Sequence, residues 1–231
     1  MNERERRIQE HFDGEAGIFD ELVVKLIPDY RAMLDALVGA LPFEDPEPIR
    51  VLDLGCGTGT VARVVADRFR SASVTCVDVA ASMVAVAREK LARHPRSTFV
   101  IGDFSATELG GPYDAVVSSL ALHHLESPRD KQRMYERLYA ALASGGVFVN
   151  ADVVLGGDEG LSARYLSRWA EWMAGNVGWD EVRSTWIPKH EAEDRPARLI
   201  DHLDWLGAAG FAALDVVWKR DNFAVFCGRH P

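Results

Sequence analysis

Short apolar runs alternate with amphipathic segments through the middle of the chain. The strand-like runs are residues 49–54, 73–77, 98–101, 115–118 and 147–149. Apolar residues recur at helical spacing in residues 61–69, 83–91 and 131–143. This alternation predicts an α/β fold with a parallel sheet and helices on both faces. Gly145 and Gly146 are expected to end the last of these helices.

The flanking regions have other patterns. Residues 18–41 predict two helices interrupted at Pro28, and the proline-rich stretch 42–48 predicts a rigid connector. Residues 156–196 hold most of the tryptophans and no strand pattern, which predicts a helical cap insert. A helix over 198–209 and strands over 211–217 and 222–228 predict a C-terminal hairpin. We expect a single domain: N-terminal helices and connector (1–48), core (49–155), cap insert (156–196), and last helix with hairpin (197–231).

Composition narrows the class of protein. Hydrophobic residues make up 48% of the 231 positions and charged residues 26%, which is typical of a globular domain. The net charge of −9 disfavours nucleic acid as a partner, because phosphate binding depends on Lys and Arg. No apolar run has the length of a signal peptide or membrane span, so we expect no membrane partner and a cytoplasmic location. The three widely spaced cysteines favour neither a disulfide framework nor a metal site, and we expect no metal.

Three glycines at alternate positions follow the first predicted strand, in the segment VLDLGCGTGT over residues 51–60. Glycines there allow a sharp turn and close approach of a ligand. The spacing GxGxG differs from the GxGxxG of dinucleotide-binding proteins. The segment 53–59 resembles the DxGxGxG motif of class I S-adenosylmethionine-dependent methyltransferases, whose Rossmann-like sheet has seven mostly parallel strands, the last one antiparallel. The resemblance implies S-adenosylmethionine as cofactor, S-adenosylhomocysteine as product, and cofactor contacts at Asp53, Gly55, Cys56, Gly57 and Gly59.

Acidic residues follow the second and third predicted strands. Asp78 lies about twenty residues beyond the glycine loop, where a carboxylate can accept both ribose hydroxyls. It could also cap the helix that begins near Ala80. By the resemblance, Asp103 accepts the adenine amino group beside Phe104. Val79 and Met83 line the adenine face on the same grounds, although apolar residues there could equally be core.

The fourth predicted strand ends in SSLALHHLE, at the sheet edge where open α/β folds bind ligands. We expect Ser119 and Leu120 to contact the methionine part of the cofactor. His123 is a candidate base for deprotonating a hydroxyl. The segment resembles O-methyltransferases in which a His and an Asp assist proton removal, which implies Asp152 as its helper. The alternative is that the histidines only pack or cap a helix.

Features along nearly the whole chain, including HFDGEAGIFDELVVKLIPDY at the start and AGFAALDVVWKRDNFAVFCG at the end, resemble the branch that contains the carboxy-S-adenosylmethionine synthases. Those enzymes make a cofactor for tRNA wobble uridine and hold its extra carboxylate with an arginine of the insert. Arg183 matches that position only with a gap, so we expect a methyltransferase with a small-molecule acceptor. The same likeness places Tyr30 at the cofactor's carboxylate. A synthase and a non-catalytic adenosyl-ligand binding protein are the alternatives.

The insert leaves two further hypotheses. Its tryptophans could wall an apolar acceptor site or simply shield the sheet edge, and together with the N-terminal helices they could form a homodimer surface. Basic side chains in or beside the insert would suit an acceptor carboxylate or phosphate, although isolated basic residues are usually solvated. These side chains are Arg164, Arg168, Arg183, Lys189 and Arg198.

Overall fold

The computed structural model describes residues 3–231. Its α-helices are α1 (Glu3–Glu15), α2 (Phe19–Leu26), α3 (Tyr30–Gly39), α4 (Thr60–Arg68), α5 (Ala81–Lys90), α6 (Pro128–Ala141), α7 (Glu159–Val177), α8 (Trp179–Glu181), α9 (Ile187–Glu193) and α10 (Leu199–Ala209). Its strands are β1 (Arg50–Leu54), β2 (Ser73–Asp78), β3 (Ser97–Ile101), β4 (Tyr113–Ser119), β5 (Leu142–Val153), β6 (Ala212–Arg220) and β7 (Phe223–Arg229). A 3₁₀ turn covers Leu122–His124, and a π-helical turn joins α8 to α9.

The strands form one sheet in the order β3-β2-β1-β4-β5-β7-β6. Strands β1 to β5 pair in parallel, whereas β7 runs antiparallel to both β5 and β6. The predicted fold class is confirmed. Leu54 at the end of β1 is in register with Val77 of β2 and Ser118 of β4, so the loops that follow these three strands meet at one edge of the sheet.

Two apolar clusters cover the two faces of the sheet. Alternate residues of a strand point to opposite faces, so Val51 of β1 packs in the cluster that holds α3 and α4, whereas Leu52 and Leu54 pack in the cluster of α6 and α10. All three side chains are fully buried. Burial on both faces explains why the neighbouring positions Val51 and Leu52 of β1 are both apolar.

The expected end of α6 is wrong. The helix stops at Ala141 and β5 begins at the next residue, ahead of Gly145 and Gly146. Tyr113 of β4 pairs with Leu142 and Ala115 pairs with Val147, so residues 143–146 bulge out of register. Gly145 has a φ of +81°, and a Cβ on Gly146 would lie 2.8 Å from the carbonyl oxygen of Ala143. The glycines therefore permit a bulged strand start rather than a helix cap.

Helices α1 and α2 lie near the carboxyl ends of the strands, whereas α3 packs on one face of the sheet. The sequence predicted α2 and α3 but not α1, because α1 is dominated by charged residues. The Asp13 side chain in α1 accepts hydrogen bonds from the backbone N–H and the hydroxyl of Ser82 at the start of α5. No helix within residues 3–231 has the length and apolar character that crossing a bilayer requires.

Candidate functional site

The glycine loop turns sharply between β1 and α4. The N–H groups of Gly55 and Cys56 donate to the carbonyl of Val77 at 2.8 and 3.0 Å, which ties the loop to the end of β2. Gly55 has a φ of +70°, and a Cβ there would lie 2.4 Å from the Cβ of Ala121. Glycine is required at this position by both backbone conformation and space. At Gly57, by contrast, a Cβ would meet no atom within 4 Å.

A cavity of about 520 Å³ opens beside this loop, at the carboxyl ends of β1, β2 and β4. Its volume lies within the range of small-molecule and cofactor sites. The cavity brings together all the predicted cofactor contacts except Gly59. Those that line it are Tyr30, Asp53, Gly55, Cys56, Gly57, Asp78, Val79, Met83, Asp103, Phe104 and Ser119. We call this space the cofactor cavity.

Gly59 lies outside the lining of the cofactor cavity, contrary to the expected contact. It precedes α4 with a φ of +76°, and a Cβ on it would lie 2.9 Å from the Cβ of Ala87 in α5. The third glycine of the motif therefore allows α4 and α5 to pack closely.

Two buried carboxylates, Asp53 and Asp78, line the cofactor cavity. One oxygen of Asp53 accepts the N–H of Ala62 at 3.0 Å, and the other has no hydrogen-bond partner within the described residues. Burial, opposed by that N–H and aided by the charge of Asp78, raises the pKa of Asp53 to about 7. Asp78 accepts the N–H groups of Gly57 at 2.7 Å and Ala80 at 2.9 Å. It thus shapes the turn into α5 and also faces the cavity.

The remaining polar groups of the cavity fit an adenosyl amino acid. The carboxylate of Asp103 is held by the N–H and hydroxyl of Ser105 at 2.7 and 2.6 Å, with lone pairs left to accept an amino group. The buried hydroxyl of Ser119 has no partner within residues 3–231. Burial raises the pKa of Tyr30, so its hydroxyl stays protonated as a potential donor to a carboxylate. Donors and acceptors are therefore present for each polar end of S-adenosylmethionine.

A second cavity of about 140 Å³ shares a wall with the cofactor cavity. Phe12, Phe19, Leu120 and His124 line both spaces. The second cavity lies between α1, α2, α7 and α9, and most of its wall is apolar. Its apolar lining includes Leu22, Val23, Leu26, Ile27, Val153, Trp169, Met173, Trp186 and Phe223.

The predicted catalytic pair lies beside this second cavity. His123 lines the second cavity but not the cofactor cavity, and Asp152 lines neither. His123 Nδ1 lies 2.5 Å from Asp152 Oδ1, and the His123 N–H donates to Asp152 Oδ2 at 3.1 Å. His123 Nε2 lies 3.4 Å from Asp194 Oδ1. Both ring nitrogens therefore face carboxylates, which does not favour a freely accessible base, and the catalytic role stays a prediction.

The two adjacent histidines carry opposite electrostatic shifts. Burial lowers the pKa of His123, but the charges of Asp152 and Asp194 outweigh it and raise the pKa to about 10. Burial and the neighbouring His123 lower the pKa of His124 to about 3. The neutral ring, that of His124, is the one that borders the cofactor cavity.

Comparisons with known proteins match these features. A family model described as a methyltransferase domain matches residues 51–146. The carboxy-S-adenosyl-L-methionine synthase of Chromohalobacter salexigens is 31% identical over 222 residues, which cover 89% of this chain and 80% of that protein. The chain belongs to the class I S-adenosylmethionine-dependent methyltransferases, in the branch of the carboxy-S-adenosyl-L-methionine synthases.

Further relatives of this methyltransferase differ in their acceptors. The malonyl-[acyl-carrier protein] O-methyltransferase of Geobacter sulfurreducens is 34% identical over 122 residues, covering 52% of this chain and 45% of that protein. The structure of Haemonchus contortus phosphoethanolamine N-methyltransferase 2 with S-adenosyl-L-methionine superposes with a TM-score of 0.68 at 18% identity. That match covers 95% of this chain but only 57% of the other, so it bears on the fold alone.

Hydrogen bonds join helix α2 to the glycine loop. Asp20 of α2 accepts the hydroxyls of Thr58 at 2.7 Å and Thr60 at 3.0 Å. Lys90 of α5 contacts the same carboxylate at 2.6 Å. Asp20 could not be found from the sequence, because its partners lie about forty and seventy residues away along the chain.

Side chains of the cap insert form ion pairs with side chains of α1. Lys189 pairs with Glu15 at 2.7 Å, and His11 lies 2.7 Å from Glu193. Of the five basic residues considered as acceptor ligands, Lys189 lines the second cavity, and the other four line neither cavity. Arg183 stacks over the exposed ring of Trp179.

Proposed function

We propose that this methyltransferase transfers a methyl group from S-adenosylmethionine to a small-molecule acceptor that occupies the second cavity. The main support for the proposal is that the cofactor cavity and the second cavity lie side by side. They share a wall formed by Phe12, Phe19, Leu120 and His124. When bound, S-adenosylmethionine supplies an electrophilic methyl on a sulfonium. The enzyme's task is then chiefly to align the acceptor and exclude water.

The cofactor contacts follow from the donors and acceptors that line the first cavity. We assign the ribose hydroxyls to Asp78, the adenine amino group to Asp103, and the adenine faces to Val79, Met83 and Phe104. Asp53 is assigned to the cationic part of the cofactor, which would partner its unpaired oxygen. Tyr30 is assigned to the cofactor's carboxylate.

The second cavity suits a compact, largely apolar acceptor with one oxygen function. A volume of about 140 Å³ favours a compact acceptor group. Two tryptophans of the insert, Trp169 and Trp186, form part of its wall. Polar groups gather at one end, around His123 and Asp194. An acceptor hydroxyl or carboxylate held beside His124, which borders both cavities, would face the cofactor's methyl and be O-methylated. The named activity of the Geobacter sulfurreducens relative is consistent with this chemistry.

Carboxy-S-adenosyl-L-methionine synthesis is the second candidate function. It is favoured by the 31% identity that extends over 89% of the chain. Against it stands the position of Arg183, which lies over Trp179 and outside the cofactor cavity. Arg137, a basic residue that does line the cavity, donates to the carbonyl oxygens of Phe104 and Ser105. The mass of cofactor that copurifies with the protein distinguishes the two functions, because the synthase product carries an additional carboxylate.

Narrowing the second cavity without touching the first tests the proposal. Leu22→Trp places a large ring on the half-buried face of α2 that lines the second cavity. Val24→Trp, on the exposed face of the same helix, is the matched control. Formation of S-adenosylhomocysteine is measured against a panel of small hydroxylated and carboxylated acceptors. We expect Leu22→Trp to raise the acceptor KM at unchanged cofactor affinity, and Val24→Trp to behave as the parent. Equal acceptor kinetics in all three proteins would place the acceptor elsewhere.

A further inference from the structure

Three metal-type ligand atoms converge where the second cavity meets the 3₁₀ turn. Asp194 Oδ1 lies 3.4 Å from His123 Nε2 and 3.4 Å from His124 Nδ1. One ligand atom from each of the three residues lies within 4.8 Å of the others. His123 and His124 follow β4, whereas Asp194 follows α9, so the cap insert completes the cluster.

The two contacts to Asp194 are long for direct hydrogen bonds and leave room for a shared cation. A charge-assisted N–H···O bond has a length of about 2.7–2.9 Å, which is shorter than either contact to Asp194. Ligand atoms about 2.0–2.2 Å from a tetrahedral zinc ion lie about 3.4 Å from one another. The two separations to Asp194 match this tetrahedral edge, and the two histidine nitrogens lie within 4.8 Å of each other.

Neighbouring side chains hold the ligand atoms in the orientation that a metal requires. His123 Nδ1 lies 2.5 Å from Asp152, to which it donates, and Nε2 points at Asp194, where a metal ion would take the place of the Nε2 proton. His190 Nδ1 lies 2.6 Å from Asp194 Oδ2, which leaves Oδ1 for the cluster. A carboxylate behind a ligating histidine is the usual support of a zinc site, since it fixes the ring and its tautomer.

We propose that His123, His124 and Asp194 bind one divalent metal ion at the end of the second cavity. Two imidazoles and one carboxylate favour zinc or a similar transition metal over magnesium, which prefers oxygen ligands alone. All three residues line the second cavity, so a fourth coordination position is accessible from it. This further step rests on the proposed function: the fourth coordination position binds the acceptor's oxygen and directs it toward the cofactor cavity.

Metal uptake by the tag-free protein tests the site without any need for turnover. The protein is dialysed against a chelator and titrated with Zn²⁺ and, separately, with Mg²⁺ by calorimetry. We expect one Zn²⁺ per chain and much weaker Mg²⁺ binding. Asp194→Asn removes a ligand charge, and the matched control Asp204→Asn changes an exposed carboxylate on α10 outside both cavities. His190→Ala removes the hydrogen bond that supports Asp194, together with a ring contact to Trp169, and should weaken Zn²⁺ binding by about 10–100-fold.

The outcomes separate the metal site from the proposed function. The site is supported if the parent and Asp204→Asn each bind one Zn²⁺ and if Asp194→Asn loses at least as much Zn²⁺ affinity as His190→Ala. No stoichiometric Zn²⁺ binding by the parent overturns it, whatever the variants do, and so does parent-like affinity in Asp194→Asn. Cofactor binding is measured on the same metal-free samples. A protein that binds zinc but fails to bind S-adenosylmethionine would keep the metal site and refute the methyltransferase proposal.

Discussion

Replacing Asp53 by Asn should make the cofactor-free enzyme more stable at high pH. The carboxyl has an ordinary pKa of 3.8, and burial raises it to about 7 in the folded chain. The folded state therefore holds its proton more tightly than the unfolded state, and ionisation opposes folding increasingly as the pH rises from about 4 to about 7. At pH 5 this costs about 1.7 kcal/mol and at pH 8 about 4.3 kcal/mol. Asparagine keeps an oxygen for the Ala62 N–H, at 3.0 Å in the parent, and has no such cost.

Urea denaturation of parent and Asp53→Asn at pH 5 and pH 8 measures the effect. The free energy of unfolding of the variant should rise relative to the parent by about 2.6 kcal/mol between these two pH values. A stability difference between variant and parent that does not change with pH would refute the reasoning.

Calorimetry adds a second readout, since pairing of Asp53 with the cationic cofactor ionises the carboxyl. Cofactor binding by the parent should then release about 0.9 proton at pH 6 and almost none at pH 8. Proton release at pH 6 that persists in Asp53→Asn would also contradict it.

Two further substitutions test the packing around the glycine loop. Gly59→Val should lower the free energy of unfolding by about 2–4 kcal/mol, because its Cβ would lie 2.9 Å from Ala87 at a φ of +76°. Gly57→Ala, where the added atom meets nothing within 4 Å, should cost about 1–2 kcal/mol in urea denaturation, and equal losses would argue against the close packing. Asp20→Asn should weaken the contacts of α2 to Thr58 and Lys90 by about 0.5–1 kcal/mol and speed hydrogen exchange in α2. The exposed control Asp35→Asn should not, and unchanged exchange in Asp20→Asn would show that these contacts do not hold α2.

The parts of the fold that depend on local pattern could be predicted from the sequence. The segment from Asp53 to Gly57 contains the strand end and the turn, and the DxGxGxG resemblance placed it at the cofactor cavity. The role of Gly59 was not predictable, because it depends on the packing of α4 against α5. The end of α6 was not, because Gly145 and Gly146 have the chemistry of a helix stop. Only the pairing of β5 with β4 decides that they belong to a bulge.

The candidate acceptor and metal sites depend on contacts that no local pattern contains. Asp194 meets His123 and His124 across about seventy residues, after the cap insert has folded back over the sheet. Phe12 and Phe19 reach the shared wall from helices whose own sequences carry no sign of a ligand. The expectation of no metal rested on cysteine spacing, which has no bearing on a cluster of histidines and a carboxylate.

Calorimetric titration with S-adenosylmethionine tests the central claim most directly. Gly57→Arg places a long side chain in the open space that faces the cofactor cavity, whereas Gly175→Arg adds the same side chain to an exposed position of α7. We predict that the parent and Gly175→Arg bind one cofactor per chain with the same affinity and that Gly57→Arg binds none measurably. Binding by Gly57→Arg as tight as that of the parent would contradict the account, since the cofactor would then occupy some other part of the molecule.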